Sequence, residues 1–479
     1  MTRRVVVVGG GIAGLAAAHA VSQGGARGAG PVDVVVLERA EAVGGKARTV
    51  REGGWLLEAG PTGFLDNEPA MDELVHAAGL EKLRADEAAA RRYLVRGGRV
   101  REIHPNPLKF LASGILSPLG AARLALEPFF PRRRTTEVDE SVWEFAARRL
   151  GPQAADRLIA PMVLGVFAGD ARRTSLAAAF PRMAELEARH GSLVKAMFAL
   201  KRERGRTAGG PAGPSGKLTS FAEGIERLPR GLADSLLRSG RANVRTGAAV
   251  DSLAYSHGPA GDTEGDWRLR VDGEALRARA VVLATESFAA ATLLRECEPS
   301  IARELAGIAT PHVAVVGLGY GPDTSAAMPR GFGALIERGQ GIRTLGVLFD
   351  TQLFPGRGPE GHLLLRCMVG GATDEAASQL TDEDLAELCR AEVARIFGLA
   401  GAVARPEFTR VVRWPRAIPQ YDLGHLARIR RVHQRLAESN ARHPGLVLAG
   451  NYLDGVAFNK AAVSGLAAGR KALRFAEAS

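Results

Sequence analysis

The sequence predicts an α/β chain, α+β overall, with a Rossmann-like dinucleotide-binding domain, a mixed-sheet substrate domain and a helical domain. Three observations predict this. Residues 5–8 are all valine and run into Gly9-Gly10-Gly11-Ile12-Ala13-Gly14, after which residues 15–20 read as a helix. Residues 33–37 form a second valine-rich strand that ends at Glu38. Near the chain's end, residues 446–449 read as a short buried strand, followed by Gly450-Asn451, Gly455-Val456-Ala457 and helical character over 461–475. A β-branched run entering a glycine turn and then a helix is the βα unit of a parallel sheet. The length, 479 residues, suits two or three domains.

The composition narrows the function classes. Apolar residues make up 46% and charged residues 24%, the balance of a well-cored soluble chain and not of a disordered or polytopic membrane protein. Lys+Arg 63 against Asp+Glu 52 gives a net charge of +11, mostly from arginine. Such a surplus suits acidic substrates or anionic lipid. No basic run interleaves with aromatics, so nucleic acid is not an expected partner. Cys297, Cys367 and Cys389 form no CxxC pair, so neither a disulfide framework nor a metal site is expected, and a reducing compartment fits. The apolar run after Arg3-Arg4 stops at Gly9, too early for a signal core, and no run of about 20 apolar residues predicts a membrane span.

Each part of the N-terminal pattern has a physical role. Gly9 makes the tight turn, Gly11 lets a pyrophosphate approach the backbone, and Gly14 lets the helix pack on the strand. The helix start at Ile12 and Ala13 then faces the phosphates with free N–H groups. Glu38, followed by Arg39, stands where a carboxylate accepts from ribose hydroxyls. Its distance from the glycines is longer than usual, and residues 24–31 read as a surface insertion. A second glycine pair, Gly44-Gly45, followed by Lys46 and Arg48, is typical of proteins that bind FAD extended. Lys46 and Arg48 would neutralise the pyrophosphate or contact the flavin. Gly60-Pro61-Thr62, after Glu58-Ala59, is a rigid turn suited to lie against the isoalloxazine. At the other end, Gly450, Asn451, Gly455, Val456 and Ala457 lead into a helix start. Its N–H groups suit the negative charge that a reduced flavin gains near N1 and O2.

Further strings carry a family resemblance. They are Leu164-Gly165-Val166-Phe167-Ala168-Gly169-Asp170, Arg91-Arg92-Tyr93-Leu94 with Gly97-Gly98, and Gly331-Phe332-Gly333-Ala334-Leu335. Cys367-Met368-Val369-Gly370-Gly371, Trp414-Pro415, Ile418-Pro419-Gln420-Tyr421 and Leu423-Gly424-His425 follow in order. The strings resemble those of the protoporphyrinogen oxidase family, within the amine oxidase-like FAD superfamily, over residues 5 to 470. Two departures lie near the cofactor positions. Lys460 and Ala461 stand where the family has an acid and a cysteine, and Ala284-Thr285-Glu286 stands in place of A-P-A.

The resemblance implies oxidation of protoporphyrinogen IX to protoporphyrin IX in heme biosynthesis. Three two-electron transfers go to FAD, with oxygen as acceptor and hydrogen peroxide as product. Coproporphyrinogen III is the alternative substrate, handled by enzymes of the same fold. By resemblance, the Gly165 carbonyl lies over the substrate and Arg92 meets a propionate, a pairing that suits a guanidinium fork. Phe332, Leu335, Met368 and Ile418 would line the apolar slot, and Val250, Ala284 and Trp414 would join the FAD contacts. No general base is obvious, and the cofactor performs the chemistry without a metal or a covalent nucleophile. His425 reads as structural. An amine oxidase or carotenoid desaturase is a further reading, but five tyrosines and four tryptophans supply an aromatic cage poorly. A flavin-free porphyrin carrier would need no intact phosphate loop.

The implied organisation places FAD segments at 1–80, 215–292 and 405–479, the substrate sheet at 81–108 and 293–404, and helices at 109–214. Residues 312–320 and 362–368 read as alternating strands. Residues 202–216 are rich in Gly, Pro and Ala and read as a loop. Residues 108–130 are apolar and lead into Pro131-Arg132-Arg133-Arg134, a pattern that can dock on an anionic bilayer. The expected location is cytoplasmic, with peripheral contact on the inner face of the cell membrane, and a homodimer is compatible.

Overall fold

The computed structural model describes residues 3–24, 32–130, 138–204, 216–257 and 265–478. Two sheets organise it. In chain order their strands are β1 (Arg4–Val8), β2 (Asp33–Leu37), β3 (Arg92–Arg96), β4 (Arg99–Glu102), β5 (Ala242–Arg245) and β6 (Ala280–Leu283). Then come β7 (Val313–Tyr320), β8 (Gly333–Ile336), β9 (Thr344–Phe349), β10 (Leu363–Gly370), β11 (Phe408–Trp414) and β12 (Leu446–Leu448). Three helices matter most: α1 (Ile12–Gly24), α2 (Ala160–Phe167) and α3 (Phe458–Glu477).

The first sheet has the order β5-β2-β1-β6-β12 and is parallel throughout. Side chains alternate between two cores. Val5 and Val7 pack with α1 and α3, while Val6 and Val8 pack with Trp267, Ile301 and Ile429 on the opposite face. Burial on both faces is why these strands are unbroken runs of β-branched residues.

α1 and α3 touch backbone to backbone. A Cβ at Gly465 would fall 2.0 Å from Ala13 O, and one at Gly469 would fall 2.2 Å from Ala17 O. Both contacts advance by four residues together, so the helices run parallel. Their N-termini therefore open on the same edge of the sheet. α3 begins at Phe458, earlier than the residue 461 expected from sequence. Phe458 is buried near Phe64, at 6.2 Å between ring centroids, and that packing extends the helix.

The second sheet has the order β11-β7-β10-β9-β8-β3-β4. β7 was expected to alternate, yet all eight of its residues are buried. Ala314, Val316, Leu318 and Tyr320 face the Asp382–Phe397 helix. Gly317 and Gly319 face Leu57 and Trp55 of the Trp55–Glu58 strand. The strand Phe408–Trp414, grouped by sequence with the third FAD segment, pairs antiparallel with β7 and completes this sheet. Val250 begins the strand Val250–Ser256, after residues 246–249 leave β5.

The apolar 108–130 stretch is not one helix. It forms Pro107–Ala112 and Pro118–Ala125, each started by a proline. Leu108, Leu119 and Phe129 are 77%, 85% and 81% exposed. The basic string 131–134 lies outside the described residues, as do 25–31 of the expected insertion and 205–215 of the expected loop. Among the described residues, no helix is long and apolar enough to cross a membrane.

Candidate active site

The glycine turn sits where β1 hands over to α1. A Cβ at Gly14 would fall 1.8 Å from Gly9 O, so only glycine lets the helix start this close to the strand. Gly11 is different, because a Cβ there would meet no atom within 4 Å. Leu15 N donates to Gly11 O at 3.0 Å. The amides of Ile12, Ala13 and Gly14 precede that first helical bond and point out of the helix start. Open space beside such amides is a phosphate cradle.

Glu38 is fixed beside it. Its Oε2 accepts from Gly10 N at 2.6 Å and its Oε1 from Ala40 N at 2.8 Å. Each oxygen keeps acceptor capacity for a ribose hydroxyl. Gly44 N donates to Gly10 O at 2.9 Å, and a Cβ on Gly45 would stand 3.5 Å from Gly11 Cα, so the second glycine pair closes on the first. Ala284 N donates to Val8 O at 2.8 Å, which lays Ala284 against Gly9. Arg39 and Arg48 are exposed. Lys46 was offered to the pyrophosphate by the sequence. In the structure its ammonium lies 2.5 Å from both Ala417 O and Glu286 Oε1, so it ties segments together and its charge is matched. This donor set, an open turn at a helix start with a carboxylate held beside it, fits an extended FAD.

The Gly60-Pro61-Thr62 turn is held from the other sheet. Arg366, on β10, is 2% exposed. It donates to Glu58 O and Gly60 O, both at 2.9 Å, and to Thr62 Oγ1. Its Nε lies 3.1 Å from Asp350 Oδ2. Trp414 Nε1 donates to Ala59 O at 2.6 Å. Beneath, Arg357 lies 3.8 Å from Glu58 and donates to Ala222 O and Phe221 O, both at 2.9 Å. Glu58 also accepts from Ile225 N and Thr49 Oγ1, at 2.9 and 2.8 Å. Burial outweighs these partners and pushes the Glu58 carboxyl up to about 7. Burial also raises Asp350 and lowers Arg357. Arg357, Arg366 and Asp350 were not visible as site residues in the sequence. The only signal was an isolated charge within an apolar strand at Arg366 and just after one at Asp350; Arg357, in a Gly-Pro loop, gave none.

The face of β10 that carries Arg366 also carries an apolar stretch. Directly paired residues share a face. One row reads Arg92, Gly333, Leu348, Arg366, and the next reads Leu94, Leu335, Gly346, Met368. Gly333 and Gly346 add no side chain of their own between Leu335, Leu348 and Met368. The end of α2 stands over this face, since a Cβ on Gly165 would fall 2.5 Å from Leu335 Cδ2. Ile418 packs with Met368, Leu164 and Ala168. Phe332, Leu335, Leu348, Met368 and Ile418 are all only half-buried, and Val166 beside Gly165 is 52% exposed. Arg92 is exposed at the rim, its Cζ 5.4 Å from the Phe332 ring centroid. Three strand spacings, about 14 Å, separate it from the strand of Arg366.

The C-terminal turn comes to the same region. Gly450 N donates to Ser464 Oγ at 3.1 Å, and Gly455 stands two residues before Ala457, which starts α3. Val456 packs into the helical layer with Phe145, Val163 and Phe167. Lys460 pairs with Glu68, so the departure from the family's acid brings its own counter-charge. Val250, half-buried, follows the Ala248 amide that donates to Glu38 O at 2.8 Å. Tyr421 and Gln420, quoted only as part of a string, make four hydrogen bonds here.

Comparison with known proteins gives the family and the fold. The family described as flavin containing amine oxidoreductase matches residues 12–473. The coproporphyrinogen III oxidase of Bacillus subtilis (strain 168) is 31% identical, covering 99% of this chain and 98% of its own. The chloroplastic protoporphyrinogen oxidase 1 of Spinacia oleracea is 30% identical, covering 95% of this chain and 81% of its own. A solved structure from Exiguobacterium sp. 255-15 superposes with a TM-score of 0.83 at 24% identity, covering 99% of both chains.

Two predictions follow from the cradle and the buried charges. Gly11→Val puts a side chain into space that touches no protein atom. Urea unfolding of the apoprotein should therefore stay within about 0.5 kcal/mol of wild type, while the purified protein should lose its flavin absorbance. A yellow variant would remove the phosphate assignment. Glu58 keeps its proton up to about pH 7 when folded and loses it near 4.5 when unfolded, so stability should fall as pH rises through that window. Glu58→Gln, neutral at every pH, should flatten that fall by up to about 3 kcal/mol in a urea series from pH 4.5 to 8. Parallel curves for the two proteins would show that Glu58 is already ionised.

Proposed function

The chain belongs to the flavin-containing amine oxidoreductase family, and from that premise we propose that it oxidises protoporphyrinogen IX to protoporphyrin IX in tetrapyrrole biosynthesis. One observation carries this reading. An apolar, half-buried sheet face, with one arginine exposed at its edge, ends at the turn expected to meet the flavin. A flat tetrapyrrole with acid groups on its edge has that shape and polarity.

Bound FAD supplies the two-electron acceptor for three successive oxidations, each removing a hydride and a proton that leave together on oxygen as hydrogen peroxide. The chain's residues do the positioning. Phe332, Leu335, Met368 and Ile418 take the macrocycle's faces and exclude water. Arg92 holds a propionate at the rim with a charge-assisted bond. The Gly165 carbonyl accepts from pyrrole N–H groups and keeps the ring against the apolar face. Alignment at near-attack distance is the protein's contribution to rate.

Coproporphyrinogen III is the second reading. It is favoured by the Bacillus relative, which matches over 98% of its own length. Oxidation of both porphyrinogens by the yellow protein, followed by porphyrin fluorescence in air, ranks the two by kcat/KM. Turnover of neither would overturn the proposal. Arg92→Ala should raise KM for the better substrate about tenfold, as expected for a lost charge-assisted bond. kcat should stay within about threefold and FAD content should not change.

The helical layer supports peripheral contact with the inner face of the cell membrane. Leu108, Leu111, Leu119, Leu126 and Phe129 are exposed together on consecutive short segments, with Lys109 among them. Such a surface suits an anionic bilayer and a poorly soluble substrate. The double change Leu119→Ser, Phe129→Ser should lower flotation with phosphatidylglycerol vesicles about tenfold or more. Equal flotation would assign the patch another role.

A further inference from the structure

Gln420 and Tyr421 are neighbours in the loop after β11, 4% and 2% exposed. Each grips a different part of the site. Gln420 Nε2 donates to Phe167 O at 2.9 Å and to Ile418 O at 3.0 Å. Phe167 ends α2, two residues beyond Gly165. The Gln420 Oε1 lies over Gly169, where a Cβ would come within 2.5 Å of it. The Tyr421 hydroxyl donates to Asn451 O at 2.6 Å and accepts from Gly455 N at 2.7 Å. Its ring stacks on His425 at 4.0 Å and lies 6.3 Å from the Phe167 ring.

The dipeptide itself is anchored. Gln420 N donates to Ala309 O and Ser175 N donates to Tyr421 O, both at 2.8 Å. Thr174 and Asp422 form an isolated antiparallel bridge beside it. A trans peptide fixes neighbouring Cα atoms about 3.8 Å apart. Gly165 and Gly455, 290 positions apart in sequence, are thereby tied to two adjacent residues of one loop.

We propose that Gln420 and Tyr421 are positioning residues that set the gap between the Gly165 segment and the 455–457 turn. This rests on the reading above, in which substrate lies against the first and flavin against the second. The chemistry of the two side chains suits the task. A phenol can donate to a carbonyl and accept from an amide at once, and burial raises this one's pKa, so it stays neutral and keeps both bonds. An amide donates twice and accepts, which matches Phe167 O and Ile418 O. Hydride transfer is sensitive to displacements well under an ångström, so a spacer of two stiff, buried side chains affects rate more than binding.

Tyr421→Phe keeps the ring and its stack on His425 but strands Asn451 O and Gly455 N. Purified with FAD, it should bind the flavin at wild-type stoichiometry and show an altered visible circular dichroism of the flavin bands. kcat per bound flavin should fall about tenfold to a hundredfold, with KM within about threefold. Gln420→Met keeps the volume and removes the amide, and it should show the same split between kcat and KM. Tyr452→Phe is the control. Its buried hydroxyl has no hydrogen-bond partner among the described residues, so dichroism and kcat should match wild type. A Tyr421→Phe protein with wild-type dichroism and kcat, even at lower Tm, would overturn the proposal and leave Tyr421 a stabilising residue. If Tyr421→Phe does not fold, an unchanged kcat in Gln420→Met overturns it alone. Should wild type turn over neither porphyrinogen, the function proposal fails, and the dichroism of Tyr421→Phe still decides whether Tyr421 sets the flavin turn.

Discussion

A buried guanidinium needs acceptors, and Arg366 finds them in two separate segments. Its donors reach the Glu58 and Gly60 carbonyls, the Thr62 hydroxyl and the Asp350 carboxylate. Taking that charge out of water is costly, so losing the Asp350 carboxylate would leave an uncompensated cation. The price is met only if the 58–62 turn and β10 stay in register. The apolar face beside Met368 therefore keeps a fixed relation to the turn expected against the flavin. Arg357 and Glu58 repeat the arrangement one layer below, tying in the 221–225 segment.

The parallel pair α1 and α3 supplies the second constraint. Small residues bring the helices into backbone contact, and their shared direction brings two positive ends to one edge of the sheet. One end lies beside the open space at Gly11. The other follows the Gly455 turn. An anionic pyrophosphate and a flavin gaining negative charge call for two such ends, separated along one molecule. The helix contact and the dinucleotide site are one structural solution.

The cofactor half of the site was largely legible in the sequence because its chemistry is local. A phosphate loop needs particular residues at consecutive positions, so Gly9, Gly11 and Gly14 announce it, and Glu38 follows at the end of the next strand. The substrate half was legible only through family strings. Gly333, Gly346 and Met368 come to one face because three strands pair in one register, which no single segment encodes. Lys46, expected at the pyrophosphate or the flavin, pairs in the structure with Glu286, 240 residues later, a partnership that local sequence does not show. The start of α3 was misplaced by less than a turn, because helix ends depend on packing such as Phe458 on Phe64.

Sequence alone determined the βα units, the glycine turn, the carboxylate that follows the second strand and the family, since each rests on residue types at fixed short spacing. Tertiary structure decided the rest. It chose which charges pair in the interior, gave β11 to the second sheet and set Leu335 and Met368 on one face. It also brought Gly165 and Gly455 to adjacent residues of one loop. Those features depend on contacts between segments hundreds of residues apart, and burial and hydrogen bonding across such distances are settled only when the chain is folded.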